Sequence, residues 1–196
     1  MAHRQRGVQC PSEPSRHVAR LGLVVHDPEA RDPATGRRGL TLYATAVPPD
    51  AVMASFSPDR QTYITQLEAL AALAVYSAEA SWRAHGVDLR GREVNHFIDN
   101  TGALSAFVNG YARATDLARL SNMFWLLAAG MRLRPWLEYV PSLSNIADLP
   151  SRDEYELLDH LGARRIPDPP LPTAADWQAP LEQWIERGAR CYADDE

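Results

Sequence analysis

Apolar and polar positions change their rhythm several times along this chain, and each change marks an element. Leu21–Val25 is an apolar run that reads as a strand, stopped by His26–Asp27–Pro28 and followed by a charged loop over Pro28–Arg38. Leu40–Ala46 alternates with the period of two expected of a second strand, and Pro48–Pro49–Asp50 turns it. Val52–Phe56 reads as a third, weaker strand, so the opening predicts an antiparallel meander. Residues 62–84, rich in Ala, Leu, Glu and Gln and ended by Gly86, predict the clearest helix. Val94–Ile98 is a short buried strand that delivers Asp99 at its end, where Asn100–Thr101–Gly102 opens a helix over Ala103–Val108. Thr115–Gly130 carries the helical stripe Leu117, Leu120, Phe124, Leu127, with Met131 beyond it, and Trp136–Val140 returns to strand. Ser144 or Asn145 caps a brief helix containing Asp148 and bent by Pro150, and Asp153–Gly162 is helical again.

This order predicts an α/β fold with a mixed sheet, the strand ending at Asp99 at its centre, and helices 62–84 and 115–130 packed on it. The organisation divides into an irregular segment 1–19, a domain over 20–152, and a proline-interrupted helical tail over 153–196. Within that tail, Ile166–Thr173 is a stiff extended spacer. A last helix starting at Pro180 shows Leu181, Trp184 and Ile185, either packed back on the domain or offered to a partner.

With 196 residues, 45% of them hydrophobic, the chain can bury one proper core. A net charge of −5 removes any global attraction to nucleic acid, so such binding requires a local patch. All twenty basic residues are arginine, which with the high alanine content reads as a coding bias, although arginine is also the better fork for phosphate. Cys10 and Cys191 form no CxxC pair, which argues against a zinc site or a disulfide framework. No apolar run approaches the ~20 residues of a membrane span, and the start MAHRQRGVQCPSEP lacks a signal-peptide core. The expectation is a soluble intracellular protein, cytoplasmic or nuclear, with no membrane partner.

Three acids stand out against this frame. Glu68 has Ile64, Ala71, Ala72 and Val75 as its helical neighbours, so its carboxylate points towards the core unless it lies at a solvated rim. Asp99 sits at a strand end, where open α/β sheets hold ligands, though an Asp there can also cap the next helix. Asp148 lies at a helix start, where the helix dipole alone favours it. Carboxylates converging from separate elements suit two divalent ions about 3.5–4 Å apart, which activate water at a phosphodiester.

The segments Ile64–Ala71 (ITQLEALA), Phe97–Asn100 (FIDN), and Tyr139–Pro141 followed by Asn145–Arg152 (NIADLPSR) resemble the ribonuclease H domain that follows the reverse transcriptase of retroelements, nearest the DIRS and Ty3/gypsy kinds. The resemblance covers residues 20–152, and the closing VP…N-x-AD-x-x-SR pattern is its most specific part. It implies a ribonuclease H-like fold, an RNA–DNA hybrid or other nucleic acid as partner, and Mg²⁺ or Mn²⁺ as cofactor. Glu68, Asp99 and Asp148 then match three of the family's four catalytic, metal-holding acids, with Asn100, Asn145 and Arg152 as nucleic-acid contacts.

The fourth acid is where the chain departs from the family. One threading places Val8–Ser12 on the family's first strand, with Pro11 where its Asp belongs, leaving that strand degenerate or missing. The other makes Leu21–Val25 the first strand and Asp27 the acid. The family's histidine before the last helix is also absent from Pro141–Ser144. Two functions follow: two-metal hydrolysis of hybrid RNA, weak or lost under the first threading, or a relict or domesticated domain that binds nucleic acid or protein without turnover.

Overall fold

The first strand runs past the point where its sequence turns polar. In the computed structural model, which describes residues 19–56 and 63–193, β1 (Leu21–Arg31) continues through His26, Asp27 and Pro28 instead of stopping there. It pairs antiparallel with β2 (Arg38–Ala46), Leu21 opposite Ala46 and Asp27 opposite Leu40, and the register becomes irregular between Asp27 and Arg31. Pro28 falls in that irregular stretch, where a residue without an N–H does least damage to a ladder. Leu21, Leu23 and Val25 face the core on one side of β1, as strand alternation requires.

Val52–Phe56, expected as a third strand, is instead the one-turn helix α1 (Asp50–Met53) and the turn after it. Val52 and Phe56 are both buried, four residues apart, so helical spacing serves the core better there than alternation. The long helix is broken in two, α2 (Ile64–Ser77) and α3 (Glu79–Ala84). The break costs little because the Trp82 indole N–H donates to the Val75 carbonyl at 2.8 Å, satisfying an acceptor near the end of α2.

β3 (Glu93–Ile98) leads into α4 (Thr101–Asn109) and then α5 (Thr115–Gly130), whose bounds coincide with the predicted stripe. β4 (Arg134–Tyr139) returns parallel to β3, with Ile98 opposite Tyr139. After β4 come a 3₁₀ turn at Ser142–Ser144, α6 (Asp148–Ser151) and α7 (Glu156–His160). β5 (Arg164–Arg165) then joins β2 in parallel, an addition the sequence does not suggest. The result is a mixed α/β protein with a mixed three-stranded sheet, β1–β2–β5, and a separate parallel pair, β3–β4. Among the described residues β3 pairs on one side only, with β4, and β1 on one side only, with β2.

One core joins these pieces, with Leu23, Leu42, Leu70, Leu73, Phe107, Leu120, Met123 and Phe124 all buried in it. The C-terminal stretch packs back onto the same core through Ile166, Trp177 and Trp184. α8 (Ala174–Gln178) opens with a reciprocal capping box between Thr173 and Asp176, and buries Trp177. α9 (Glu182–Arg190) lies so close to α5 that a Cβ on Gly130 would overlap the Ile185 carbonyl, and one on Gly188 the Leu127 carbonyl. That approach seats Trp184 in the core. A smaller cluster of Tyr43, Leu158 and Ala163 covers the other face of β1–β2, whereas Phe97 and Trp136 on β3–β4 remain more than half exposed. The expectation that Phe97 is buried therefore fails, because no layer of the described residues covers its face of the pair.

Candidate metal centre

Each of the three acids is delivered by a different element. Glu68 lies on α2, on the face that also carries Ala71, Ala72 and Val75, and these four line one groove with β1 and β3. Its carboxylate has no hydrogen bond or ion pair among the described residues. Burial and then the negative charges of Asp99 and Asp148 push its pKa up to about 8. A carboxylate raised that far is held in its neutral form by its surroundings unless a cation arrives.

Asp99 follows β3 directly and is half-buried. It does not cap the next helix. Asn100 does so, its side-chain oxygen accepting from the Ala103 N–H at 3.0 Å, which leaves the Asp99 carboxylate free of that duty. Asp148 is the first residue of α6. Burial and then the Asp99 charge raise its pKa, and Arg152 offsets part of the rise.

The position of α6 depends on Gly22. A Cβ there would overlap the Ala147 carbonyl and press on the Ser151 N–H and the Pro150 ring. Thr45, the neighbour of Gly22 across the ladder, donates its hydroxyl to the Pro150 carbonyl at 3.0 Å. A glycine and a threonine on the hairpin thus hold the helix that carries Asp148. Neither stands out in the sequence, where a glycine interrupting an apolar strand is the one available signal.

The residues expected to touch nucleic acid are already partnered. Asn145 accepts from the Ala147 N–H at 3.1 Å and donates to Asp148 at 3.4 Å, ordering the turn before α6. Arg152 reaches back to Asp148 with an N–O distance of 2.7 Å. Asn100 spends its oxygen on the helix cap. All three still border the acids, but each supports local structure.

Asp27 lies at the opposite end of the groove. Arg92, just before β3, forks onto it, with Nη2 at 3.1 Å from Oδ1 and Nη1 on Oδ2. The Glu29 and Ala30 N–H groups donate to the same carboxylate. Burial works against its charge, but the Arg92 and backbone bonds outweigh that and lower the pKa. From Arg92 to Asp99 the chain follows the whole of β3, roughly 23 Å at about 3.3 Å per residue. Asp27 is consequently no fourth ligand beside Asp99, and the threading that made it one is overturned. Val8–Ser12, on which the other threading rests, lies outside the described residues.

The donor set is all oxygen and anionic, which suits a hard divalent cation. The three carboxylates share an electrostatic neighbourhood, yet among the described residues no group of three or more acids, histidines or cysteines is drawn close enough to hold a metal ion as it stands. Among the described residues the three acids have no fourth beside them, since Asp27 is held by Arg92 at the far end of the groove. No helix of the described residues is long and apolar enough to cross a membrane. Compared with protein-family models, curated proteins and solved structures, the chain matches none.

Proposed function

We propose that this chain is a ribonuclease H-like domain of the retroelement kind, which lays an RNA–DNA hybrid or a related nucleic acid along the cleft at Glu68, Asp99 and Asp148, with hydrolysis weak or lost. The observation that carries this reading is Glu68. It is a half-buried acid without a partner among the described residues, raised to about 8 by desolvation and by two other acids from separate elements. A purely structural glutamate in that position would be expected to have an arginine or a hydrogen-bond donor against it. The order hairpin, acid-bearing helix, strand with terminal acid, helices, parallel strand and acid-bearing helix adds support, since it is the order the resembling family uses.

Glu68, Asp99 and Asp148 would hold Mg²⁺ or Mn²⁺. That ion would supply an activated water and neutralise charge on the scissile phosphate. The chain's own residues order the approach: Asn100 fixes the start of α4 beside Asp99, and Asn145 fixes the turn into Asp148.

Two observations favour binding over turnover. Asp27 is committed to Arg92 at the far end of the groove, and Arg152 is already paired with Asp148. Removing a central electrostatic contributor from such a site commonly costs a factor of about 10²–10³ in rate. The test is fluorescence anisotropy of a labelled RNA–DNA hybrid with Ca²⁺ present or absent. Binding strengthened by the divalent ion in the wild type, but not in Asp99→Asn, is expected. Affinity indifferent both to the ion and to the substitution would overturn the reading.

A further inference from the structure

Asp148 is the acid of the three whose two carboxylate oxygens are both engaged. Arg152 donates through Nη2 to Oδ2 at 2.7 Å, and the Asn145 side-chain amide donates to Oδ1 at 3.4 Å. Among the described residues Glu68 and Asp99 have no such partner. Both partners of Asp148 come from its own segment. An acid and an arginine four apart, acid first, meet across one helical turn, and Arg152 caps the C-terminal end of α6. Asn145 is fixed by the same turn, its oxygen accepting from the Ala147 N–H at 3.1 Å. The Asp148 carboxylate is thus held locally, and the three acids as they stand are not close enough to share an ion.

That hold is a weak one. The Arg152 side chain is 56% exposed and that of Asp148 21%. An ion pair so open to water shifts an equilibrium by only about two- to fivefold. The Asn145 bond, at 3.4 Å, is long for a hydrogen bond. A divalent cation that recruits Asp148 comes up against the Arg152 guanidinium, and the two like charges repel at contact distance. The cation carries the larger charge and gains from Glu68 and Asp99 as well, so the arginine is the group that leaves. Its planar fork then stands free beside the site, and a phosphate is the group that this fork grips in two places at once.

We propose that Arg152 is an exchangeable counter-ion of the acid site: it holds Asp148 in the free chain, gives way to a divalent cation, and then pairs with a backbone phosphate of the bound strand. Its effect therefore changes sign. In the free chain Arg152 opposes the cation, and in the complex it supports it. Cation and nucleic acid each free what the other needs, so the two bind with positive coupling through one side chain. The inference rests on the reading of Glu68, Asp99 and Asp148 as a cation site and says what regulates that site.

The experiment measures Mn²⁺ affinity of the full chain by electron paramagnetic resonance, which reads the unbound ion, in the wild type, Arg152→Gln, Asp148→Asn and the double variant. Arg152→Ala and Asp99→Asn serve as controls, and the thermal midpoint of each variant reports its folding. Hybrid affinity is measured by fluorescence anisotropy with and without Mn²⁺, on an RNA–DNA hybrid whose RNA strand is 2′-O-methylated so that none is cleaved. Arg152→Gln and Arg152→Ala should each tighten Mn²⁺ binding to the free chain about two- to fivefold, whereas an arginine that merely stabilised α6 would weaken binding when lost. The gain should vanish in the Asp148→Asn background. Both arginine variants should also cut at least twofold the factor by which Mn²⁺ strengthens hybrid binding. Mn²⁺ affinity unchanged or weakened in both, while Asp99→Asn still abolishes it, overturns the exchange and leaves the cation site standing. A gain that persists with Asp148→Asn is a general charge effect and overturns it too, as does coupling to the hybrid that survives the loss of Arg152. Mn²⁺ binding indifferent to Asp99→Asn overturns the site itself, and this inference with it.

Discussion

At the scale of single residues, Glu68 ties stability to pH in a definite direction. Its pKa lies near the ordinary 4.5 when unfolded and at about 8 when folded. A folded acid raised in this way binds its proton more tightly than the unfolded chain does, so its contribution is most favourable below about pH 4.5. That contribution is lost as pH rises to about 8. The loss is on the order of a few kcal/mol. Glu68→Gln should therefore raise the denaturation midpoint at pH 8, flatten the decline between pH 5 and 8, and weaken Mg²⁺ binding, all readable by chemical denaturation with and without the ion. Destabilisation of the metal-free protein at pH 8 would instead mark Glu68 as a structural ion-pair partner. Arg92 provides a contrasting case. Arg92→Ala strands the buried Asp27 carboxylate and should cost about 1–3 kcal/mol, while Mg²⁺ affinity measured by calorimetry stays unchanged, because the pair lies at the far end of the groove.

At the scale of elements, the acids were legible because their neighbours carry helical or strand periodicity, but what positions them was not. Apolar residues at i−4, i+3 and i+4 placed Glu68 on the inner face of its helix without reference to anything distant. Nothing near Gly22 in sequence says that α6 will cross it, since Ala147 is far along the chain and the contact is backbone to backbone. Phe97 misled for a related reason. Its hydrophobicity implied burial, whereas burial depends on whether another layer covers that side of β3–β4, which the local sequence does not encode. Val52 and Phe56 misled through their period, because two apolar residues four apart suit a helical turn as well as a weak strand. The role of Gly22 gives an element-scale test. Gly22→Val should push α6 away from β1, lower stability by about 1–3 kcal/mol, and reduce Mg²⁺ affinity by displacing Asp148. A variant with unaltered metal binding would show that α6 is held by other contacts.

At the scale of the whole molecule, the C-terminal helices are part of the core, and the catalytic outcome depends on acids that the fold does or does not bring together. Gly188→Ala should separate α9 from α5, expose Trp184 and red-shift its fluorescence, with a cost of about 1–3 kcal/mol. An unshifted spectrum at unchanged stability would show that the helices can part without consequence. The central claim proposed is that Glu68, Asp99 and Asp148 form a ribonuclease H-like site that lacks a fourth acid among the described residues. Its most direct test is the rate of Mg²⁺-dependent cleavage of an end-labelled RNA–DNA hybrid by the wild type, Asp99→Asn and Asp27→Asn. The account predicts weak or no cleavage by the wild type, any residual rate lost in Asp99→Asn and untouched in Asp27→Asn. Robust cleavage by the wild type, or a rate that survives Asp99→Asn, would contradict it.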